Sequence, residues 1–152
     1  MGTMTYETDV INWSKEQARL LRNGQFDALD IEHIADEIED VGKSEQRELE
    51  NRMAVLLSHL LKWQHQPERR GSSCQRTIKE QRKAIARRIA KTPSLKSDLQ
   101  DSDWWEGVWG DALIKAADET GIAFDQLPTA CPWSEERVFS DDFFPDDCLE
   151  AT

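Results

Sequence analysis

Apolar side chains recur along most of this chain at intervals of three and four residues, the spacing that places side chains on one face of an α-helix. The first such segment predicts a helix from about Asp9 to Asn23. Thr8 or Asp9 can cap its start, and Gly24 supplies a left-handed end. Its apolar face consists of Val10, Trp13, Leu20 and Leu21.

A second helix is predicted after Asp30, which can act as its N-cap, and Gly42 can end it. Ser44 can start a third helix, whose broad apolar face between Leu49 and Leu61 predicts a central position in the fold. Because both segments keep the same helical phase across Gly42, one long, bent helix over residues 31–66 is the alternative. The apolar stripe of the second helix, which we expect to be buried, consists of Ile31, Ile34, Ala35, Ile38 and Val41.

Pro67 ends this region, because proline cannot continue the helical hydrogen-bond ladder. After a loop, a fourth helix is predicted from about Cys74 to Lys91, with its isoleucines inward and its basic side chains outward. Ser94 can cap a short helix, and a longer helix is predicted from about Asp103 to Thr120, with Gly121 as its C-terminal stop.

The rest of the chain predicts little regular structure. Residues 122–133 are expected to form an extended connection, Ser134 can cap a single helical turn, and residues 140–152 form an acidic surface tail. No segment shows the strict apolar–polar alternation of a half-buried strand. We therefore predict an all-α fold, a compact bundle of about five to six helices without significant sheet, in one domain with its core over residues 6–139.

Charge is spread unevenly along the chain. The net charge is −11, yet residues 69–91 hold nine Lys or Arg and one acid, so this segment carries +8 and the remainder −19. The two parts can pair with each other or present surfaces of opposite sign. The acidic remainder repels a phosphate backbone, and no nucleic-acid-binding motif is present, so nucleic acid is not an expected partner.

The sequence predicts a soluble protein of the cytoplasm. No apolar run approaches the ~18 residues of a membrane span, and no basic region followed by an apolar stretch opens the chain. The three cysteines, Cys74, Cys131 and Cys148, have no CxxC spacing and are expected to stay reduced.

Carboxylates and one histidine concentrate at the start of the predicted second helix. Helical bundles can hold metal ions with inward-facing carboxylates and histidines. The Glu-x-x-His pairs of a di-iron site do not occur in this sequence, so we expect a solvated acidic face, with no metal and no cofactor. The residues of this cluster are Asp30, Glu32, His33, Asp36, Glu37, Glu39 and Asp40.

Glu37 borders the apolar stripe, and Glu45 would point into it if the helix continued. A buried carboxylate needs a partner, which Arg69, Arg70 or Arg76 could supply. The result is either an ion pair that holds the loop to the bundle or a polar pocket in which the carboxylate has a shifted pKa. The full candidate set is Glu37, Glu45, His59, Trp63, Gln66, Arg69 and Arg70.

The chain has six tryptophans. Trp105 and Trp109 have helical spacing and are expected in the core. Trp104 and Trp133 are the two most favoured for exposure, and exposed aromatic side chains mark partner surfaces.

Six short motifs together suggest a known family: IADEIE at 34–39, HLLKWQHQPERR at 59–70, TIKEQR at 77–82, TPSL at 92–95, CPW at 131–133 and FFP at 143–145. Over about residues 6–145 the chain resembles the bacterial and cyanobacterial family catalogued as domain of unknown function 29. The resemblance implies an all-helical fold and no activity. The segment from Ser102 to Gly110 departs from the family by being rich in Trp and Gly.

Two functions from different classes follow. The chain lacks a Gly-rich phosphate loop and the GxSxG, HExxH and CxxC motifs that mark several common enzyme classes. We expect a helical protein-interaction module with an acidic surface, binding a protein partner or a second copy of itself. The alternative is a helical enzyme with a polar pocket around Glu37, His59 and Arg69.

Overall fold

The computed structural model describes residues 5–145, so residues 146–152 of the predicted acidic tail, with Cys148, lie outside it. Over the described range the chain forms α-helices, short 3-10 turns and loops, with no strand. The predicted all-α fold without significant sheet is therefore confirmed for these residues. The helices are α1 (Val10–Arg22), α2 (Ile31–His65), α3 (Ser72–Lys91), α4 (Lys96–Leu99), α5 (Ser102–Thr120) and α6 (Glu135–Phe139).

Helix ends follow the capping chemistry of the sequence. The carboxylate of Asp9 accepts the backbone N–H of Asn12 at 3.1 Å at the start of α1. Ser134 accepts the backbone N–H of Arg137 at 3.3 Å at the start of α6. Gly121 ends α5 with a φ of 76°, the left-handed conformation that glycine adopts most easily.

Residues 31–65 form one helix, which is the single-helix alternative of the sequence analysis. One internal glycine costs a helix only about 1 kcal/mol, so Gly42 does not end α2. Pro67 does end the region, because it opens a 3-10 turn, Pro67–Arg69, directly after the helix. α3 then starts at Ser72, slightly earlier than predicted.

The chain divides into two units, residues 1–45 and residues 46–152. The described part of the first unit contains α1 and the beginning of α2, and Trp13 and Leu20 are its buried apolar side chains. The prediction of one domain over the whole chain stays a prediction.

The second unit has an extensive apolar core. The later part of α2 supplies most of its fully buried side chains, as the broad apolar face predicted. α3 contributes Ile78 and Ile85, and α5 packs Trp109 and its small neighbours against the same core. The residues from α2 are Leu49, Met53, Leu56, Leu57, Leu60 and Leu61.

Two burial expectations were wrong. Ile31, Ile38 and Val41 of the predicted stripe are 69%, 66% and 67% exposed. Helical spacing places side chains on a common face, but it does not supply a neighbour that covers the face. Conversely, Arg82 of the basic helix is only 3% exposed, because its guanidinium group donates to backbone carbonyls of the second unit.

Candidate functional site

Four residues of the predicted candidate set line one cavity of the second unit. His59, Trp63, Gln66 and Arg69 surround a space of about 360 Å³, together with Lys62, Cys74 and Glu119. We call this space the His59 cavity. Four of the lining side chains belong to the predicted candidate set, so the His59 cavity is the place where the predicted polar pocket would lie.

The break at Pro67 builds the His59 cavity. The last turns of α2 place His59, Lys62 and Trp63 on one wall, and the 3-10 turn after Pro67 brings Arg69 to the rim. The first turn of α3 and the end of α5 close the remaining sides.

His59 is held in one orientation and is neutral at pH 7. Its Nδ1 lies 2.9 Å from the carbonyl oxygen of Val55, so this nitrogen carries the proton and donates it. Burial lowers the pKa of His59, and this effect is larger than the opposing increase from the hydrogen bond to the Val55 carbonyl oxygen. The Nε2 atom of the ring is therefore available as a hydrogen-bond or proton acceptor.

Cys74 and an ion pair complete the polar lining. The thiol of Cys74 lies 3.8 Å from the carbonyl oxygen of His59, and burial raises the pKa of Cys74. The thiol thus stays protonated, unlike the activated thiolate of a catalytic cysteine. Lys62 forms an ion pair with Glu119, and the hydrogen bond from Lys62 lowers the pKa of Glu119.

Arg70 positions an aromatic wall of the cavity. Its Nε donates to the carbonyl oxygen of Trp63 at 2.6 Å, and its guanidinium carbon lies 5.4 Å from the centre of the Trp63 ring. The charge-assisted hydrogen bond ties Arg70 to the backbone at the end of α2, and the cation–π contact holds its guanidinium group against the indole. Arg70 was part of the candidate set as an ion-pair partner, and in the structure it contacts Trp63.

Glu37 and Glu45, the remaining candidates, belong to the first unit. The hydroxyl of Tyr6 donates a short hydrogen bond to Glu37, which raises the pKa of Tyr6 to about 12. Tyr6 is thus a partner that the first unit itself supplies to Glu37, and the arginine partners stay a prediction. Glu45 is partly buried. Neither the helical spacing nor the charge pattern indicates Tyr6, because it precedes α1.

The acid and histidine cluster of the first unit is a hydrogen-bond network around Asp30. The carboxylate of Asp30 accepts from the indole of Trp13 at 2.9 Å and lies 2.8 Å from Nδ1 of His33. The bond to His33 is the main cause that lowers the pKa of Asp30, and it raises the pKa of His33. Tyr6 stacks on His33 with ring centres 4.3 Å apart. These contacts give the cluster a structural role.

Trp104 and Trp133, which the sequence favoured for exposure, are both partly buried. Trp104 packs edge to face on Trp105 with ring centres 5.3 Å apart, and Trp133 packs in the same way on Trp109 at 5.6 Å. Each of these two tryptophans thus packs against another tryptophan.

The basic helix α3 contacts the acidic side chains of α2 within the second unit. Arg88 pairs with Glu48 at 3.5 Å, and the same carboxylate also forms an ion pair with Arg52 at 3.0 Å. Among residues 5–145, no group of three or more His, Cys, Asp or Glu side chains is arranged to hold a metal ion. None of the helices in this range has the length and apolar character that a bilayer crossing demands.

Comparison with known families gives one result. The chain belongs to the family described as domain of unknown function DUF29, whose model matches residues 5–144. Comparison with curated proteins gives no match. Comparison with solved structures gives no match either.

Proposed function

We propose that this member of the DUF29 family is a cytoplasmic protein-interaction module that binds a basic amphipathic helix of another protein. The binding surface lies on α2 and is called the acidic face below. The observation that carries the proposal is that three large aliphatic side chains on this face are each about two-thirds exposed. The acidic face consists of Ile31, Ile38 and Val41 with the adjacent carboxylates Glu32 and Glu39, whereas Asp36 and Asp40 lie on the opposite side of the helix.

The three aliphatic side chains have the spacing of anchors in helix pairing. Ile31 and Ile38 are two helical turns apart, and Val41 lies about one turn beyond Ile38. Single exposed apolar residues are normal on a protein surface. An aligned series along one helix face is instead the pattern of a helix that packs against an apolar partner surface.

Charge determines the chemistry of the partner. Residues 23–42 contain seven Asp or Glu and no Lys or Arg. A partner helix with Lys or Arg beside its own apolar stripe would pair with this segment, whereas two acidic faces would repel each other. The proposal therefore favours a basic partner over a homodimer through this face.

The test uses a synthetic helical peptide of Leu and Lys with one apolar stripe, and a scrambled peptide of the same composition. Fluorescence anisotropy should show that the amphipathic peptide binds at least about tenfold more tightly than the scrambled one, because only it aligns an apolar stripe. Added salt should weaken the binding by screening the charges. Ile38→Asn should weaken it by about tenfold.

Ile11→Asn is the matched control, since Ile11 is 64% exposed on α1, outside the acidic face. This variant should bind as the wild type does. Equal binding of the two peptides, or equal losses in Ile38→Asn and Ile11→Asn, would refute the proposal, because either result would show attraction to negative charge alone.

The convergence of His59, Trp63, Gln66 and Arg69 favours a second candidate function. We propose that the His59 cavity binds a small polar ligand and that, as an enzyme site, it would use His59 Nε2 as a general base. Gln66 and Arg69 would donate hydrogen bonds to an anionic group of the ligand. Cys74 would contribute a neutral thiol rather than a nucleophile.

A fragment screen by ligand-observed NMR tests the second candidate. Fragments with a carboxylate should bind the wild type, and Arg69→Gln should weaken them by at least about fivefold through the lost charge-assisted bonds. Arg76→Gln is the control, because Arg76 is an exposed arginine of α3 outside the cavity lining. Equal weakening of fragment binding in both variants would indicate nonspecific charge attraction and would exclude the His59 cavity as the binding site.

A further inference from the structure

A different cavity, of about 450 Å³, opens beside α5 and is lined by three of the chain's tryptophans. Trp105, Trp109 and Trp133 form its aromatic walls, and Glu106 and Glu135 also line it. We call this space the tryptophan cavity. Its volume falls within the range of about 300–1,000 Å³ that is usual for small-ligand sites. It shares no residue with the acidic face or the His59 cavity.

The polar N–H groups of two of these indoles already have partners. Trp105 Nε1 donates to the carbonyl oxygen of Leu99 at 2.7 Å, and Trp109 Nε1 donates to the carbonyl oxygen of Pro128 at 3.0 Å. These bonds fix the orientation of both rings. Trp105 is partly buried and can offer a ligand its π surface rather than a hydrogen-bond donor, whereas Trp109 is only 2% exposed and forms the back of the cavity.

Two of the walls meet in a corner. The ring planes of Trp109 and Trp133 are 83° apart, and their centres are 5.6 Å from each other. Cys131 supports this corner, since its thiol lies 3.4 Å from the carbonyl oxygen of Trp133. Because Trp109 is buried, the aromatic surface that a third group can contact belongs to Trp133 and Trp105, which are both only partly buried.

The charge of the lining has one sign. Glu106 and Glu135 are exposed carboxylates at the rim, and Lys and Arg are absent from the described residues that line the cavity. Indole rings attract cations to their faces more strongly than other aromatic side chains do, and the carboxylates add to this attraction. An anion, in contrast, would meet negative charge and negative ring faces.

We propose that the tryptophan cavity binds an organic cation, and specifically a trimethylammonium group. The methyl groups of such a cation contact indole surfaces while its spread charge meets the ring faces and the two carboxylates, a combination that a strongly hydrated ammonium satisfies poorly. The group could arrive on a small molecule such as choline or on a trimethylated lysine of a protein, and both present the same chemistry to the cavity.

The experiment titrates the full chain with choline, and separately with 3,3-dimethylbutanol, which has the same shape without the charge. Tryptophan fluorescence should change saturably with choline, and the neutral analogue should bind at least about tenfold more weakly because it lacks the cation–π attraction. A short peptide with trimethyl-lysine and its unmodified lysine counterpart form the other arm. Tighter binding of the trimethylated peptide than of choline assigns a protein source, and the reverse assigns a small molecule.

Glu106→Gln and Glu135→Gln should each weaken choline binding severalfold without disturbing the fold, since both side chains are exposed. Glu136→Gln is the matched control, because Glu136 is an exposed neighbour outside the cavity lining. Trp133→Leu should abolish saturable binding, with circular dichroism as the check that the helices remain. The proposal is overturned if choline and the trimethylated peptide both fail to saturate, if the neutral analogue binds equally well, or if all three glutamate variants behave alike.

Discussion

Replacing Arg82 by methionine removes the cation that holds the C-terminal segment of the described chain. Arg82 Nε donates to the carbonyl oxygen of Val138 at 2.8 Å, and Nη2 donates to the carbonyl oxygen of Phe143 at 2.7 Å. The guanidinium carbon also lies 5.5 Å from the centre of the Phe144 ring. Methionine fills a similar volume but donates no hydrogen bond, so both carbonyls lose their charged donor.

The expected loss of stability follows from these contacts. Each hydrogen bond from a charged group contributes about 1.5–3 kcal/mol, so two bonds contribute about 3–6 kcal/mol. Burial of the guanidinium group opposes this, and it also lowers the pKa of Arg82. Nη1 adds to that cost, because it is buried without a hydrogen-bond partner among the described residues. We expect Arg82→Met to lower the free energy of unfolding by about 3 kcal/mol.

Urea unfolding followed by circular dichroism measures the change, and Arg87→Met is the control because Arg87 is exposed on the same helix. The control should change stability by less than about 0.5 kcal/mol. Chymotrypsin should also cleave Arg82→Met faster after Phe143 than it cleaves the wild type, since the segment loses its anchor. Losses within about 0.5 kcal/mol of each other in the two variants would refute the reasoning.

Three further results are expected. Gly107→Ala should raise the free energy of unfolding by about 0.5–1 kcal/mol, because glycine is unfavourable inside a helix. Gly121→Ala should lower it by about 1–2 kcal/mol, because Gly121 has a positive φ. Thermal unfolding that changes in the same direction for both variants would contradict this. Asp30 raises the pKa of His33, so the stabilisation from protonated His33 should be complete below pH about 6.5 and lost as pH rises through the higher pKa of the folded state. In an NMR titration, Asp30→Asn should bring the pKa of His33 back toward its ordinary value. An unchanged pKa of His33 would exclude Asp30 as the cause. Leu60→Ala should lower the free energy of unfolding in urea by about 2–5 kcal/mol, because Leu60 is fully buried. Leu21→Ala should lower it much less, because Leu21 is 46% exposed. Equal losses would mean that burial does not distinguish these two leucines.

Helix positions followed from local signals. Asp9, Ser134 and Gly121 mark helix ends because each acts within its own turn, through a side-chain cap or a left-handed backbone. Pro67 likewise ended α2 as predicted, since the missing N–H is a property of the residue itself. The prediction that Gly42 can end a helix was wrong, because one glycine destabilises a helix only slightly and the turns on either side of it stabilise the helix more.

Part of the His59 cavity was also predictable. His59, Trp63 and Gln66 lie within two turns of one another near the proline break, so their proximity is local. Glu119 and Lys62 are separated by most of the second unit along the chain, and no sequence signal pairs them. The tryptophan cavity is similar in this respect, because Trp133 reaches Trp109 only through the path of the connection between α5 and α6.

By itself, the sequence determined the all-α class, the helix ends and the faces on which apolar side chains align, because these depend on residue type and spacing over a few turns. Tertiary structure alone decided that Ile31, Ile38 and Val41 are exposed and that Arg82 is buried. Spacing defines a face of a helix, but burial and hydrogen bonding require atoms from distant parts of the chain. Partner assignments such as Tyr6 with Glu37 therefore came only with the folded structure.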